Sequence, residues 1–151
     1  PGTENVAAAI GLARAAELAC SEREGEVARL LTLGTRLETE ILARVPDAVV
    51  HGAGAAERAP HIVNVSVPGM DSESMLMALD LAGIGCSAGS ACQSGTSSPS
   101  HVLTAIGVGR DLVGGAMRMS LASMNDEACI PRIAETFAKL VAKSRGLAAV
   151  S

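Results

Sequence analysis

An α/β layer preceded by two helices is the fold that the amino-acid sequence predicts, and three patterns predict it. Apolar residues recur at intervals of three and four through the first 45 positions and again beyond position 125, the spacing of one face of an α-helix. Two short stretches, "HIVNVSVPG" and "GAMRMSLA", alternate apolar and polar residues as half-buried strands do. Glycine, proline and serine fall between these segments, where helices and strands need to stop. A chain of 151 residues, 48% hydrophobic and 19% charged, buries enough to pack around one core, as one domain or one large piece of a longer protein.

Thr3, with Glu4 and Asn5 beside it, is placed to open the first helix, whose stripe of Val6, Ile10, Ala13 and Leu18 runs to about Cys20. Ser21 followed by Glu24 fits a capping box, and Val27, Leu30, Leu31, Leu37, Ile41 and Val45 predict a second, long helix ending just before Pro46. "VVHGAGAAERAP" reads as a short strand and a Gly/Ala turn. In "HIVNVSVPG" Ile62, Asn64 and Ser66 alternate with Val63, Val65 and Val67. Asp71 or Ser72 caps a helix carrying Met75, Leu76, Leu79 and Leu81, which Gly83 ends. "IGCS" reads as a short strand. Ser100 caps a short helix through Ile106, ended by Gly107, and Met117, Met119 and Leu121 alternate with Arg118, Ser120 and Ala122 in a further strand. Asn125 is expected to cap a last helix with Ile130, Ile133, Phe137, Leu140 and Val141 on one face, fraying over "AKSRGLAAVS".

Composition narrows the function. Phe137 is the only aromatic residue other than the three histidines, so no platform exists for stacking bases, and a net charge of -4 leaves no phosphate footprint. Nucleic acid is therefore not an expected partner. No run of apolar residues is long enough to span a membrane, and the first residues lack the pattern of a signal peptide, so a soluble, cytoplasmic protein is expected. Four cysteines in unlike contexts read as reduced thiols rather than a disulfide framework. The chain opens at Pro1 almost directly in a helical pattern, which reads as a cut left edge and a C-terminal part of a larger protein.

The stretch "SAGSACQSGTSSP", residues 87 to 99, holds ten of thirteen positions as Ser, Gly, Ala or Thr. Side chains this small bury little area, so a mobile loop is expected, with Cys92 on it as a candidate nucleophile. Cys86, next to Gly85 and Ile84 at the end of its strand, reads instead as a packed small hydrophobe.

"SAGSACQSG" followed by "SHVLTAIG" resembles the active-site cysteine loop of NifS/IscS-type cysteine desulfurases, pyridoxal-phosphate enzymes of aminotransferase class V. "PGTENVAAAIGLARAAELA", "HIVNVSVPGMDSESMLMALDLAGI" and "MRMSLA" resemble further segments of the family in the same order, so the resemblance covers nearly the whole chain. It implies the C-terminal small domain of a fold-type I PLP-dependent transferase, at residues 46–151, preceded over residues 1–45 by helices that close the large domain. The implied reaction takes sulfur from L-cysteine as a persulfide and releases L-alanine, with pyridoxal phosphate as electron sink and an iron-sulfur scaffold or another protein as sulfur acceptor. Cys92 matches the cysteine that attacks the substrate sulfur. Arg118 matches the arginine that binds the substrate carboxylate, a role suited to a planar two-pronged cation. Thr3 matches a threonine that reaches the cofactor phosphate of the neighbouring subunit in a homodimer.

Gln93 stands where the family often has Thr, and Cys86 where it commonly has a small residue such as Ser. His101 is assigned to helix structure. The family's cofactor lysine, ring-stacking histidine and pyridine-nitrogen aspartate belong to the part that precedes "GTEN", and neither Lys139 nor Lys143 resembles that lysine. This piece alone is accordingly expected to be inactive. A stand-alone sulfur carrier or interaction domain built on the same fold is the competing reading. A metal site from Cys86, Cys92, Cys129 and His101 is disfavoured, since no C-x-x-C pair is present.

Overall fold

The computed structural model describes residues 2–88 and 100–148. Its elements are α1 (Val6–Arg44), β1 (Val49–Val50), β2 (Ile62–Ser66), α2 (Ser72–Leu81), β3 (Ser87–Ala88), α3 (His101–Ala105), α4 (Arg110–Val113), β4 (Ala116–Ser120) and α5 (Cys129–Ala148). The four strands form one antiparallel sheet in the order β1-β2-β4-β3. The expected α/β layer is present, and the differences from the sequence reading lie in where its helices begin and end, in the start of β3 and in one added short helix.

The two N-terminal helices are one. Ser21 caps nothing: its hydroxyl donates to the Leu18 carbonyl at 3.0 Å, a bond a serine makes inside a helix, and the chain turns without interruption for 39 residues. The helix opens at Asn5 rather than Thr3, with Asn5 Oδ1 accepting the Ala8 N–H at 3.0 Å. From Leu30 onward its inner face is buried, whereas Val6, Ile10 and Leu12 nearer its start are exposed.

The strand expected at "IGCS" begins later, at Ser87, because Ile84 is drawn back to close α2: its N–H bonds the Leu79 carbonyl and the Gly83 N–H bonds that of Asp80. Gly83, at φ +73°, makes the left-handed turn that this ending requires. Asp71 caps α2, accepting from the Ser74 N–H at 2.9 Å, and Ser100 caps α3. Helix α4 has no counterpart in the sequence reading, which left 108–114 as connection; four residues are too few for an apolar period. Asn125 does not cap α5. Its Oδ1 takes the Ala122 N–H at 2.7 Å and closes a turn, and Asp126 serves as the cap, accepting the Cys129 N–H at 3.0 Å. Beyond Val141 the helix continues to Ala148 where fraying was expected.

Strand alternation sorts the sheet into two faces. Val63 and Val65 of β2 and Met117 and Met119 of β4 point to one side, where they share a core with Leu33, Leu37 and Ile41 of α1, Met75 and Leu79 of α2 and Ile130, Phe137 and Val141 of α5. Phe137, Leu37, Ile41 and Leu79 are wholly buried, and each side chain of this kind contributes about 1.5–3 kcal/mol by leaving water. Helix α1 comes close to the sheet at Gly34, where a Cβ would stand 3.1 Å from the Pro60 carbonyl. A smaller cluster of Leu103, Val113 and Ala116 seats α3 and α4 at the head of β4.

Candidate active site

The other face of the sheet carries Asn64, Ser66, Arg118 and Ser120 beside Ile62 and Ala116. Residues directly opposite in an antiparallel pair project to the same side, so the register places side chains from β2, β4 and β3, and from the residue after β1, in one row. Asn64 of β2 pairs with Arg118 of β4, and Arg118 pairs on its other side with Ser87 of β3. On the far edge the His51 N–H donates to the Asn64 carbonyl at 2.9 Å, continuing the β1–β2 ladder by one residue. The row thus reads His51, Asn64, Arg118, Ser87, each partly buried, with the one permanent cation between two neutral side chains.

Arg118 is held by the extended backbone of a central strand, flanked on both sides. Its Nε is fully buried and has no hydrogen-bond partner among the described residues, and no carboxylate there forms an ion pair with it. A partly buried guanidinium whose donors are not consumed by the described residues is equipped to bind an anion, and a carboxylate matches its two-pronged geometry. His51 is tied down differently, with Nε2 2.6 Å from the Ser66 Oγ, and burial pushes the imidazole below its ordinary pKa.

Of the other residues singled out by sequence, Cys92 lies outside the described residues; in the chain it follows Ser87 by five positions. Thr3 is exposed two residues before the α1 cap, remote in sequence from the sheet residues of the row. Cys86 packs against the core as expected of a small hydrophobe, and burial, with Asp80 adding to it, raises its thiol above the usual range. That disfavours its thiolate. Cys129 donates its thiol hydrogen to the Asp126 carbonyl at 3.0 Å. Among the described residues no three His, Cys, Asp or Glu side chains converge as a metal site requires. Reading by sequence missed Asn64 as part of this row; it stood out only as a polar position in a strand.

Pyridoxal phosphate can be tested against the residues present. The chain has two lysines, Lys139 and Lys143, both exposed on α5, and Lys139 is engaged with Glu135 at 2.6 Å. Helix α5 packs on the apolar face, across the sheet from Arg118. These residues do not fit a covalent anchor for that cofactor, and what they offer is a cation for a carboxylate.

An antiparallel sheet with its main helices on one face and, on the other, an arginine without an ion-pair partner among the described residues resembles known proteins. The family model for class-V aminotransferases matches residues 1–133, and the chain belongs to that family. Among named relatives, the cysteine desulfurase of Trichormus azollae is 38% identical over 146 residues, 97% of this chain and 36% of that protein. Cysteine desulfurase IscS of Methanosarcina thermophila is 40% identical over the same share of each chain, and the IscS-like cysteine desulfurase of Mycobacterium tuberculosis is 38% identical over 95% of this chain and 37% of its own. The chain therefore spans about a third of the length of the relatives it matches. Among solved structures, a NifS-like protein superposes with a TM-score of 0.79 at 25% identity, covering 94% of this chain and 35% of its own. The NifS-like protein of Rickettsia africae superposes at 0.70 with 28% identity, covering 92% and 34%.

Proposed function

We propose that this chain is the C-terminal portion of a cysteine desulfurase, with Arg118 as the substrate-carboxylate anchor and Cys92 as the sulfur-accepting thiol. The carrying observation is the cross-strand row: it sets an arginine with a buried Nε, unpartnered among the described residues, beside Ser87, five chain positions before the cysteine. The 38–40% identity to desulfurases over nearly all of the chain supports the same reading.

In this reading the two Nη groups of Arg118 grip the carboxylate of L-cysteine and fix the position of its sulfur. The Cys92 thiolate attacks that sulfur, an S–S bond forms and the Cβ–S bond breaks. The electron pair of the broken bond leaves toward Cβ, which gains a proton and becomes the methyl group of L-alanine. The persulfide on Cys92 then passes to an acceptor protein such as an iron-sulfur scaffold. Pyridoxal phosphate, held by the part of the protein that precedes this chain, supplies the electron sink. Thr3, exposed at the head of α1, is available to the cofactor phosphate of a second subunit in a homodimer. Residues 1–45 join the small domain to the large one, and exposed Val6, Ile10 and Leu12 supply apolar surface for that contact. The three described cysteines are free, which suits a reducing cytoplasm.

Mass spectrometry of the full-length protein tests this after brief reaction with L-cysteine and blocking of thiols. One added sulfur is expected on Cys92, with Cys92→Ser releasing no alanine and Cys86→Ser keeping most activity. Sulfur on Cys86 with Cys92 unmodified refutes the assignment, and persulfide accepted from a donor without any release of alanine makes the chain a sulfur carrier.

A further inference from the structure

Among the described residues five buried side-chain atoms lack a hydrogen bond: Glu38 Oε1, Glu40 Oε2, Arg58 Nη1, Asn64 Oδ1 and Arg118 Nε. Three of these sit in ion pairs, Glu38 Oε1 with Arg58 Nη1 at 2.7 Å and Glu40 Oε2 with Arg44 Nη1 at 3.1 Å. The two that remain without either kind of partner are directly opposite each other in the β2–β4 register. One is a donor and the other an acceptor. Opposed Cα atoms in such a ladder stand about 4.5–5.5 Å apart, so two side chains on one face are within reach by rotation about their own bonds.

We infer that Asn64 is a positioning residue for the substrate anchor: its amide oxygen accepts the Arg118 Nε–H and turns the two-nitrogen end of the guanidinium toward the substrate carboxylate. The inference rests on the reading of Arg118 given above. A guanidinium presents its donors along two edges, one formed by both Nη groups and one by Nε with an Nη. An acceptor fixed at Nε consumes the second edge and leaves the first for the ligand. The two atoms are unjoined in the structure; a carboxylate gripped at the outer edge fixes the plane in which they meet. Burial favours the pairing, because both groups have already lost water and neither has gained a substitute. An amide serves where a carboxylate would not. Asp at position 64 would neutralise Arg118 in place and compete with the substrate for it.

The test uses the full-length protein and compares Asn64→Ala, Arg118→Ala and the double variant. Steady-state constants for L-cysteine are measured together with competitive inhibition by L-alanine, which carries the carboxylate, and by L-alaninamide, which does not. Asn64→Ala is expected to raise KM about tenfold, which is ~1.4 kcal/mol, with kcat within about twofold. It should weaken L-alanine by the same factor, leave L-alaninamide unchanged, and add nothing on the Arg118→Ala background. Equal weakening of both inhibitors, or a full tenfold loss on the Arg118→Ala background, overturns the role of Asn64 while Arg118 stands. If Arg118→Ala leaves KM and L-alanine inhibition unchanged, the carboxylate reading itself fails and the inference falls with it. Should Asn64→Ala not fold, Asn64→Asp keeps the shape and the acceptor, and is expected to weaken L-alanine more than tenfold. Unchanged inhibition by L-alanine in that variant also overturns the inference.

Discussion

Adding one methyl group at Gly115 should damage both the stability of the protein and its grip on substrate, whereas the same addition at Gly114 should do neither. A Cβ at position 115 would stand 2.6 Å from the Val67 carbonyl oxygen and 3.0 Å from that of Met70. Both are backbone atoms, so no side-chain rotation relieves the contact, and the first is about 0.4 Å inside the closest approach that Cβ atoms make. Either the 67–70 turn or the head of β4 has to move. Overpacking of this kind costs about 1–3 kcal/mol, from which the lower chain entropy of unfolded Ala against Gly returns about 0.4–1 kcal/mol. A net loss of roughly 1–2 kcal/mol is expected. Ala116 begins β4 and Arg118 lies two residues further on, so a displaced strand head carries the anchor with it. Gly114, by contrast, has φ −65° and nothing within 4 Å of its missing Cβ. Gly114→Ala should therefore stabilise the fold by about 0.4–1 kcal/mol through the unfolded state alone. Urea unfolding of both variants of the full-length protein, with KM for L-cysteine measured beside it, checks the pair. Equal midpoints for Gly115→Ala and Gly114→Ala would refute the close approach of the 67–70 turn to β4.

Thiol chemistry and pH provide two further tests. At neutral pH iodoacetamide should label exposed Cys20 quickly and Cys86 slowly, since burial holds the Cys86 thiol above its ordinary pKa; peptide mapping over time reads the order, and faster labelling of Cys86 would contradict its packing. His51 has a folded pKa below its unfolded value, so the unfolded chain takes up the proton first as pH falls. Its contribution to stability is therefore complete above the unfolded value of about 6.5 and is lost progressively below it. His51→Gln should flatten the fall in urea midpoint between about pH 7 and 5, and an unchanged slope would place the titration elsewhere.

Much of the architecture was legible from local pattern because its causes are local. Val63, Val65, Met117 and Met119 alternate with polar residues, and a strand's period of two converts that alternation directly into a buried face and a polar one. Asp71, Ser100 and Gly83 announced their helix ends, since a cap is a bond to a backbone group three residues away and a left-handed turn favours glycine. The same local rules misplaced other ends. Ser21 with Glu24 has the composition of a capping box, yet a serine hydroxyl can equally bond back to the carbonyl at Leu18, and the continuous α1 adopts that alternative. Asn125 and Asp126 are both competent caps, and only the turn that Asn125 closes on Ala122 left the task to Asp126.

The sequence by itself determined the layer type, the two faces of β2 and β4 and, through the order of its motifs, the family. Tertiary structure alone decided that β4 lies between β2 and β3, strands separated from it by tens of residues in the chain. Periodicity assigns a residue to a face but carries no information about which strand stands beside it, because pairing depends on loops folding back and on how helices cover the sheet. That is why Arg118 could be singled out from its motif while Asn64, now its opposite neighbour with a second buried atom unpartnered among the described residues, could not.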